Sequence, residues 1–301
     1  MRDVRRRAPR THGGRGRQVV LALVVAGCAA VVGAVALGAS AIREAQVPVS
    51  TGTTGAPGSA APGTSAARRP LVVVGLGDSV PSASTCDCAG YIEQLGARLG
   101  AATGRTPVVH NDAVGGWTSA DVERDLTSGT TRADIAGADL VVVEVGANDF
   151  DLDRVSDPTC LPAATSPCWA DTLTGLHDGL TRIVQRIRAA DANPDLRVAV
   201  VGYWNVTVDG AVGRAQGQAF VLGSDALTKA VNATVEQVAT ETGALYVDAY
   251  SPLKGEAGRR DPTNDLLDDG DHPNANGHTL LMEAVYDALE DAGALRSWTP
   301  S

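Results

Sequence analysis

Pro70-Leu-Val-Val-Val-Gly-Leu-Gly77-Asp78-Ser79 decides how the rest of this 301-residue chain is read. A run of aliphatic, mostly β-branched residues that meets Gly-x-Gly-Asp-Ser predicts a buried strand stopping at a tight turn. Four further runs of this kind follow, at 107–111, 138–145, 196–202 and 244–248. Helical patterns lie between them. Residues 91–99 place Ile92, Leu95 and Leu99 on one face, and Leu173, Leu176, Leu180, Ile183, Val184 and Ile187 follow 3.6-residue spacing. Thr118 ahead of Ser-Ala-Asp reads as a helix start, and 224–242 and 276–291 read as two more helices. Strands alternating with helices predict an α/β fold with a central, mostly parallel five-stranded sheet covered on both faces. The carboxyl ends of such strands are where open sheets bind ligands, so Ser79 is expected on a rigid support facing a cleft.

Outward from that strand the chain is not uniform. Residues 1–17 carry seven arginines, 18–42 carry no charge, and 43–69 are rich in Thr, Gly, Ala, Pro and Ser. The uncharged stretch from Val19 to Ile42 would span ~36 Å as a helix, enough for a hydrocarbon core of ~30 Å. The arginines precede it, which predicts a cytoplasmic N-terminus and an exported remainder. Ala39-Ser-Ala41 offers a small-x-small cleavage site, and Val25-Ala-Gly-Cys28 is similar to a bacterial lipidation motif. Anchor, cleaved signal and lipid attachment all place residues 70–301 outside the cytoplasm, with 43–69 as a flexible tether. Residues 70–301 hold 15 basic and 33 acidic side chains, a formal charge of −18. This balance argues against nucleic acid or an anionic membrane surface as partner, leaving the N-terminal segment as the membrane contact.

Beyond Cys28 the cysteines are Cys86, Cys88, Cys160 and Cys168. An even number in an exported domain predicts two disulfides, and three connectivities are open. Zinc is not expected from this spacing. Asp151, Asp153 and Asp157 lack the central glycine and terminal glutamate of a calcium loop, so no metal is expected there either. Residues 150–170 form a long connection of the kind that faces substrate or stays disordered.

Three predicted strand ends carry unusual punctuation: Gly77-Asp78-Ser79, Asn111 through Gly115-Gly116-Trp117-Thr118, and Gly146-Ala147-Asn148-Asp149. Together they offer a hydroxyl nucleophile, a glycine N–H and an amide, the donors an oxyanion needs. Near the C-terminus comes Asp269-Gly-Asp-His272-Pro-Asn, a histidine with a carboxylate three residues earlier. No glycine-rich nucleotide motif follows a strand.

These four blocks, in this order, resemble the SGNH hydrolases, the GDSL-type esterase and lipase superfamily, across most of residues 70–292. The resemblance implies a flavodoxin-like three-layer α/β/α sandwich and a carboxylic ester hydrolase that uses neither metal nor cofactor. It implies Ser79 as nucleophile, His272 as general base and acid, and Asp269 as the orienting carboxylate. The Ser79 and Gly116 N–H groups and the Asn148 amide would form the oxyanion hole. Asp271 adjoins His272 and its side chain is expected to point elsewhere. Two departures concern the pocket: Trp117 follows Gly116, where it would wall the acyl site or bind substrate, and Val80-Pro81 follow Ser79. His278 is read as capping or packing near the last helix, and His110 and His177 as structural. The expected substrates are small O-acyl esters or short to medium acyl chains on small molecules, lipids or glycans, handled by a monomer. Thioester hydrolysis or acyl transfer on the same residues, and a non-catalytic wall-binding module, are the alternative readings.

Overall fold

The run after Pro70 forms β1 (Leu71–Gly77), a strand buried along nearly its whole length. A computed structural model describes residues 68–191 and 193–299. The arginine-rich, uncharged and tether segments assigned to 1–17, 18–42 and most of 43–69 lie outside the described residues. In chain order β1 is followed by the one-turn helix α1 (Ser79–Ser82), α2 (Tyr91–Thr103), β2 (Pro107–Asn111), α3 (Ser119–Asp125), α4 (Gly129–Ile135) and β3 (Leu140–Glu144). Then come α5 (Ala170–Ala190), β4 (Arg197–Val201), α6 (Gly210–Ala215), α7 (Gln218–Thr242), β5 (Leu245–Val247), α8 (Tyr250–Lys254), α9 (Ala275–Asp291) and α10 (Ala294–Trp298). The sheet runs β2-β1-β3-β4-β5, with every neighbouring pair parallel. This is the flavodoxin-like order, which reverses at β1 and opens a crevice beyond the strand ends on either side of it.

Continuous apolar strands suit a sheet with both faces covered. One layer is α2 and α9, which pack on each other and on the strands; the other is α3, α5 and α7. Leu176, Leu180, Ile183, Val184 and Ile187 form the buried stripe of α5. Gly96 lets α2 lie close on β2, since a Cβ there would come within 2.3 Å of Val109 Cγ2. Tertiary context adjusts the predicted boundaries. The run at 138–145 begins as a strand only at Leu140, because Asp139 accepts from Val72 N–H at 2.9 Å and pairs with Arg105 at 2.8 Å.

The two disulfides are local, Cys86–Cys88 and Cys160–Cys168. The second staples the long connection after β3, which is built of four short 3₁₀ turns and buries Phe150, Val155 and Trp169. Asp151 and Asp157 accept from the backbone N–H groups of Asp153 and Thr159, so they act there as turn caps. Among the described residues no helix is long and apolar enough to cross a membrane.

Candidate active site

The turn carrying Ser79 is shaped by a close contact between two strand ends. Gly77 has φ +145°, and a Cβ on it would lie 1.9 Å from the Glu144 carbonyl oxygen, so only glycine fits. Asp78 N–H donates to that carbonyl at 3.1 Å. The Asp78 carboxylate then caps α1 by accepting from Val80 N–H at 3.1 Å. Ser79 therefore opens a short helix just past the end of β1, with its side chain on the sheet's carboxyl edge.

The second block runs alongside. Asp112 N–H donates to Gly75 O at 2.9 Å and Val114 N–H to Gly77 O at 3.0 Å, which carries the chain beyond β2 toward Ser79. Gly115 ends up against the serine, where a Cβ would be 3.8 Å from Ser79 Cβ. Gly116 follows with φ +82°, a backbone that turns the loop outward and into α3. From the third strand end, Asn148 donates its Nδ2 to Trp117 O at 3.0 Å. Its neighbour Asp149 accepts from Ser119 N–H at 3.0 Å and Ser119 Oγ at 2.6 Å, tying the same turn to the start of α3.

The fourth block closes on itself. Asp269 Oδ2 lies 2.8 Å from His272 Nδ1, and Asp269 Oδ1 accepts from the N–H groups of Asp271 at 2.9 Å and His272 at 3.0 Å. Burial pushes the Asp269 carboxyl up, but these hydrogen bonds outweigh it and hold the group below its ordinary value. Asn274 caps α9 and also donates to Asn264 O and Leu266 O, so the histidine turn rides on a rigid helix start. Asp271 departs from expectation. Its Oδ2 stands 3.9 Å from His272 Nε2, and it lines the same cleft as Ser79 and Asn148. The tight turn that brings the Asp269 carboxylate to Nδ1 leaves Asp271 on the other side of the ring.

Beneath Ser79 lies a buried polar layer. Tyr203 donates to Asp78 Oδ2 at 2.5 Å, and Ala147 N–H reaches the Tyr203 hydroxyl at 3.4 Å, bridging the first and third strand ends. Tyr91 donates to Glu144 Oε2 at 2.7 Å. Burial raises the Asp78 carboxyl to about 7, against hydrogen bonds from Tyr203 and Val80 that lower it. Burial, with the Asp78 charge next to it, pushes Glu144 well above the carboxylate range.

The cleft over Ser79 has a volume of about 310 Å³. Its far wall comes from the segment after β4, Tyr203 through Val208, with Phe220 from α7 and Leu152 from the stapled loop. Sequence reasoning missed this wall. The available signal was Gly202-Tyr-Trp-Asn after the fourth apolar run, a strand end on the same edge as the other three. Trp117 is not among the lining residues; its side chain packs half-buried against the core and its carbonyl holds Asn148. His278 is buried in the first turn of α9 beside Tyr91, with ring centroids 6.3 Å apart, and burial lowers it to about 4. His110 sits near Asp134, and His177 near Asp178 and Glu241, away from the cleft.

The doubly wound parallel sheet with a serine turn at the end of its first strand is that of a three-layer α/β/α hydrolase. The chain belongs to the GDSL-like Lipase/Acylhydrolase family, whose profile matches residues 76–280, and it is a carboxylic ester hydrolase of the serine type. The non-catalytic reading is thereby set aside. Solved structures share the fold at low identity. A lipase from a goat rumen metagenome has a TM-score of 0.56 at 13% identity, covering 72% of this chain and 97% of that one. A variant of an acetyl-xylooligosaccharide esterase from Geobacillus stearothermophilus has a TM-score of 0.50 at 20% identity, covering 77% and 97%. An alpha/beta hydrolase enzyme from the metagenome of Lake Arreo has 0.50 at 20%, covering 75% and 96%. No curated protein matches the chain by sequence.

Proposed function

We propose that the chain is an extracytoplasmic serine esterase that cleaves small O-acyl or short to medium acyl esters through an acyl-enzyme on Ser79. The observation that carries this reading is the meeting of three strand ends at one edge, beside a His272–Asp269 pair closed at 2.8 Å. Ser79 Oγ attacks the ester carbonyl while His272 Nε2 takes its proton. Asp269, accepting at Nδ1, fixes the tautomer and stabilises the imidazolium. The Ser79 and Gly116 N–H groups and Asn148 Nδ2 receive the oxyanion. Asn148 suits that role because its amide has two hydrogens, and Trp117 O engages one of them. His272 then protonates the leaving alcohol, and water repeats the sequence on the acyl-enzyme. The proton transfer requires His272 Nε2 within hydrogen-bond reach of Ser79 Oγ when the ester is attacked.

Two local disulfides support export, since such bonds persist in oxidising compartments. Residues 18–42, uncharged behind seven arginines, would anchor the chain or be cleaved. Recovery of the protein in membranes after alkaline carbonate washing separates the two outcomes.

A fluorophosphonate probe and a p-nitrophenyl ester chain-length series test the chemistry together. The probe should label Ser79, and turnover should be highest on short chains. Ser79→Ala should lose both label and turnover. Asp269→Asn should lower kcat by roughly 10²–10⁴-fold, the range for disabling a general base. Full activity in Asp269→Asn would remove that residue from the mechanism, and an unlabelled, inactive wild type would end the esterase reading.

A further inference from the structure

Asp271 is out of place for a residue with no assigned role. Among the described residues two carboxyls line the cleft, and no lysine or arginine does. One of them, Asp78, is buried and turned inward onto Val80 and Tyr203. The other, Asp271, keeps 51% of its side chain exposed while its Oδ2 lies 3.9 Å from His272 Nε2. Its backbone is pinned by the bond to Asp269, so the turn that builds the histidine pair also fixes where this carboxylate stands.

Nε2 has a direction in the reaction. It receives the serine proton and hands it to the departing oxygen, so a group beside Nε2 borders the alcohol half of the ester rather than the acyl half. Nothing in the wall offsets the charge there. Asn205, Thr207 and Gln216 are neutral, and the half-buried Phe220 offers aromatic surface suited to a cation. Basic side chains near the wall are engaged elsewhere: Lys254 pairs with Asp209 at 2.5 Å and Arg214 with Asp261 at 2.8 Å.

We propose that Asp271 sorts esters by the charge of the leaving alcohol, taking cation-bearing alcohols over neutral ones and rejecting alcohols or thiols that carry phosphate, sulfonate or carboxylate. This rests on the esterase reading and adds the substrate class to it. Phosphate-bearing carrier thioesters and anionic lipid headgroups are then poor substrates, and amino- or ammonium-bearing alcohols the preferred ones.

The test uses three acetates of similar shape with the full-length protein: acetylcholine, its uncharged isostere 3,3-dimethylbutyl acetate, and 2-sulfoethyl acetate. At low ionic strength kcat/KM should fall in that order, by about tenfold per step, equivalent to 1.4 kcal/mol. The steps should shrink in about 1 M salt, where the Debye length is only about 3 Å. Asp271→Asn should flatten the series and Asp271→Lys should invert it. An order kept in both variants, or ratios indifferent to salt, would overturn the proposal while leaving the esterase intact. If Ser79 is labelled but none of the acetates turns over, protection from labelling by choline, 3,3-dimethylbutanol and isethionate makes the same comparison with the same two outcomes. Absence of both labelling and turnover would overturn this proposal together with the esterase reading.

Discussion

Asp78 is a carboxyl that the fold buries one residue from the candidate nucleophile, and its titration is readable as stability. Its folded value is about 7, against 3.8 for an unperturbed aspartate. Between those two values the folded protein keeps a proton that the unfolded chain has released, so this group makes stability fall as pH rises through the window. Above about pH 7 the carboxylate is ionised in both states and its burial costs roughly 4 kcal/mol, from 1.36 kcal/mol per pH unit. Asp78→Asn should therefore melt higher than wild type at pH 8, with the gap closing toward pH 4. A gap that does not change with pH would contradict the assignment. None of this was legible in the sequence, where Gly-Asp-Ser shows an aspartate beside a serine and not which way it points. Ser79, Asn148 and the Asp269–His272 spacing were legible because each sits at a strand end or a tight turn, which motif and spacing encode. The orientation of Asp271 was not, because it depends on how that turn closes.

The elements were legible wherever burial makes a continuous signal. All five strands were read from apolar runs, because a sheet covered on both faces leaves few polar positions inside it. Their ends moved where one polar contact decides, as Asp139 does ahead of β3. The helix start at Thr118 was read from its cap, and the structure shows the full reciprocal box. Thr118 Oγ1 accepts from Asp121 N–H at 3.3 Å, and the Asp121 carboxylate accepts from Thr118 N–H at 3.0 Å. That cap matters because α3 has only seven residues and follows directly on the loop whose Trp117 carbonyl holds Asn148. Thr118→Ala should destabilise the protein by about 1 kcal/mol in denaturant titration. It should also lower kcat more than it raises KM, since it loosens the proposed oxyanion donor Asn148 rather than the cleft wall. The short helices and the wall after β4 escaped the sequence reading, because one-turn segments lack enough periodicity to register.

At the scale of the whole molecule, the covalent cross-links among the described residues are confined to two loops. Cys160–Cys168 closes a short loop just downstream of the stretch that packs Val155 close against Gly223 of α7 and sends Leu152 into the cleft. The entropy of closing so short a loop predicts a loss of about 2–3 kcal/mol on reduction. Cys168→Ser should show that loss in urea unfolding, with weaker binding of substrates that reach Leu152. Mass spectrometry should find Cys86, Cys88, Cys160 and Cys168 all protected from alkylation. The pairing could not be read from spacing, which leaves every connectivity open until the loops are placed.

The position of those two bonds makes the enzyme divisible. Both lie before β4, as do Ser79 and Asn148, whereas Asp269 and His272 come after it. Among the described residues, the parts of the site on either side of 191–196 are held together without a covalent cross-link, by packing of α2 on α9, by β3–β4 pairing and by hydrogen bonds such as Tyr203 to Asp78. A chain cut in that connection would yield one fragment with the hydroxyl and another with the imidazole, each inert alone. Fused to two interacting proteins, such halves should regain ester cleavage only when brought together, giving a colorimetric reporter of association. Co-expressed but unfused halves measure the background of spontaneous reunion.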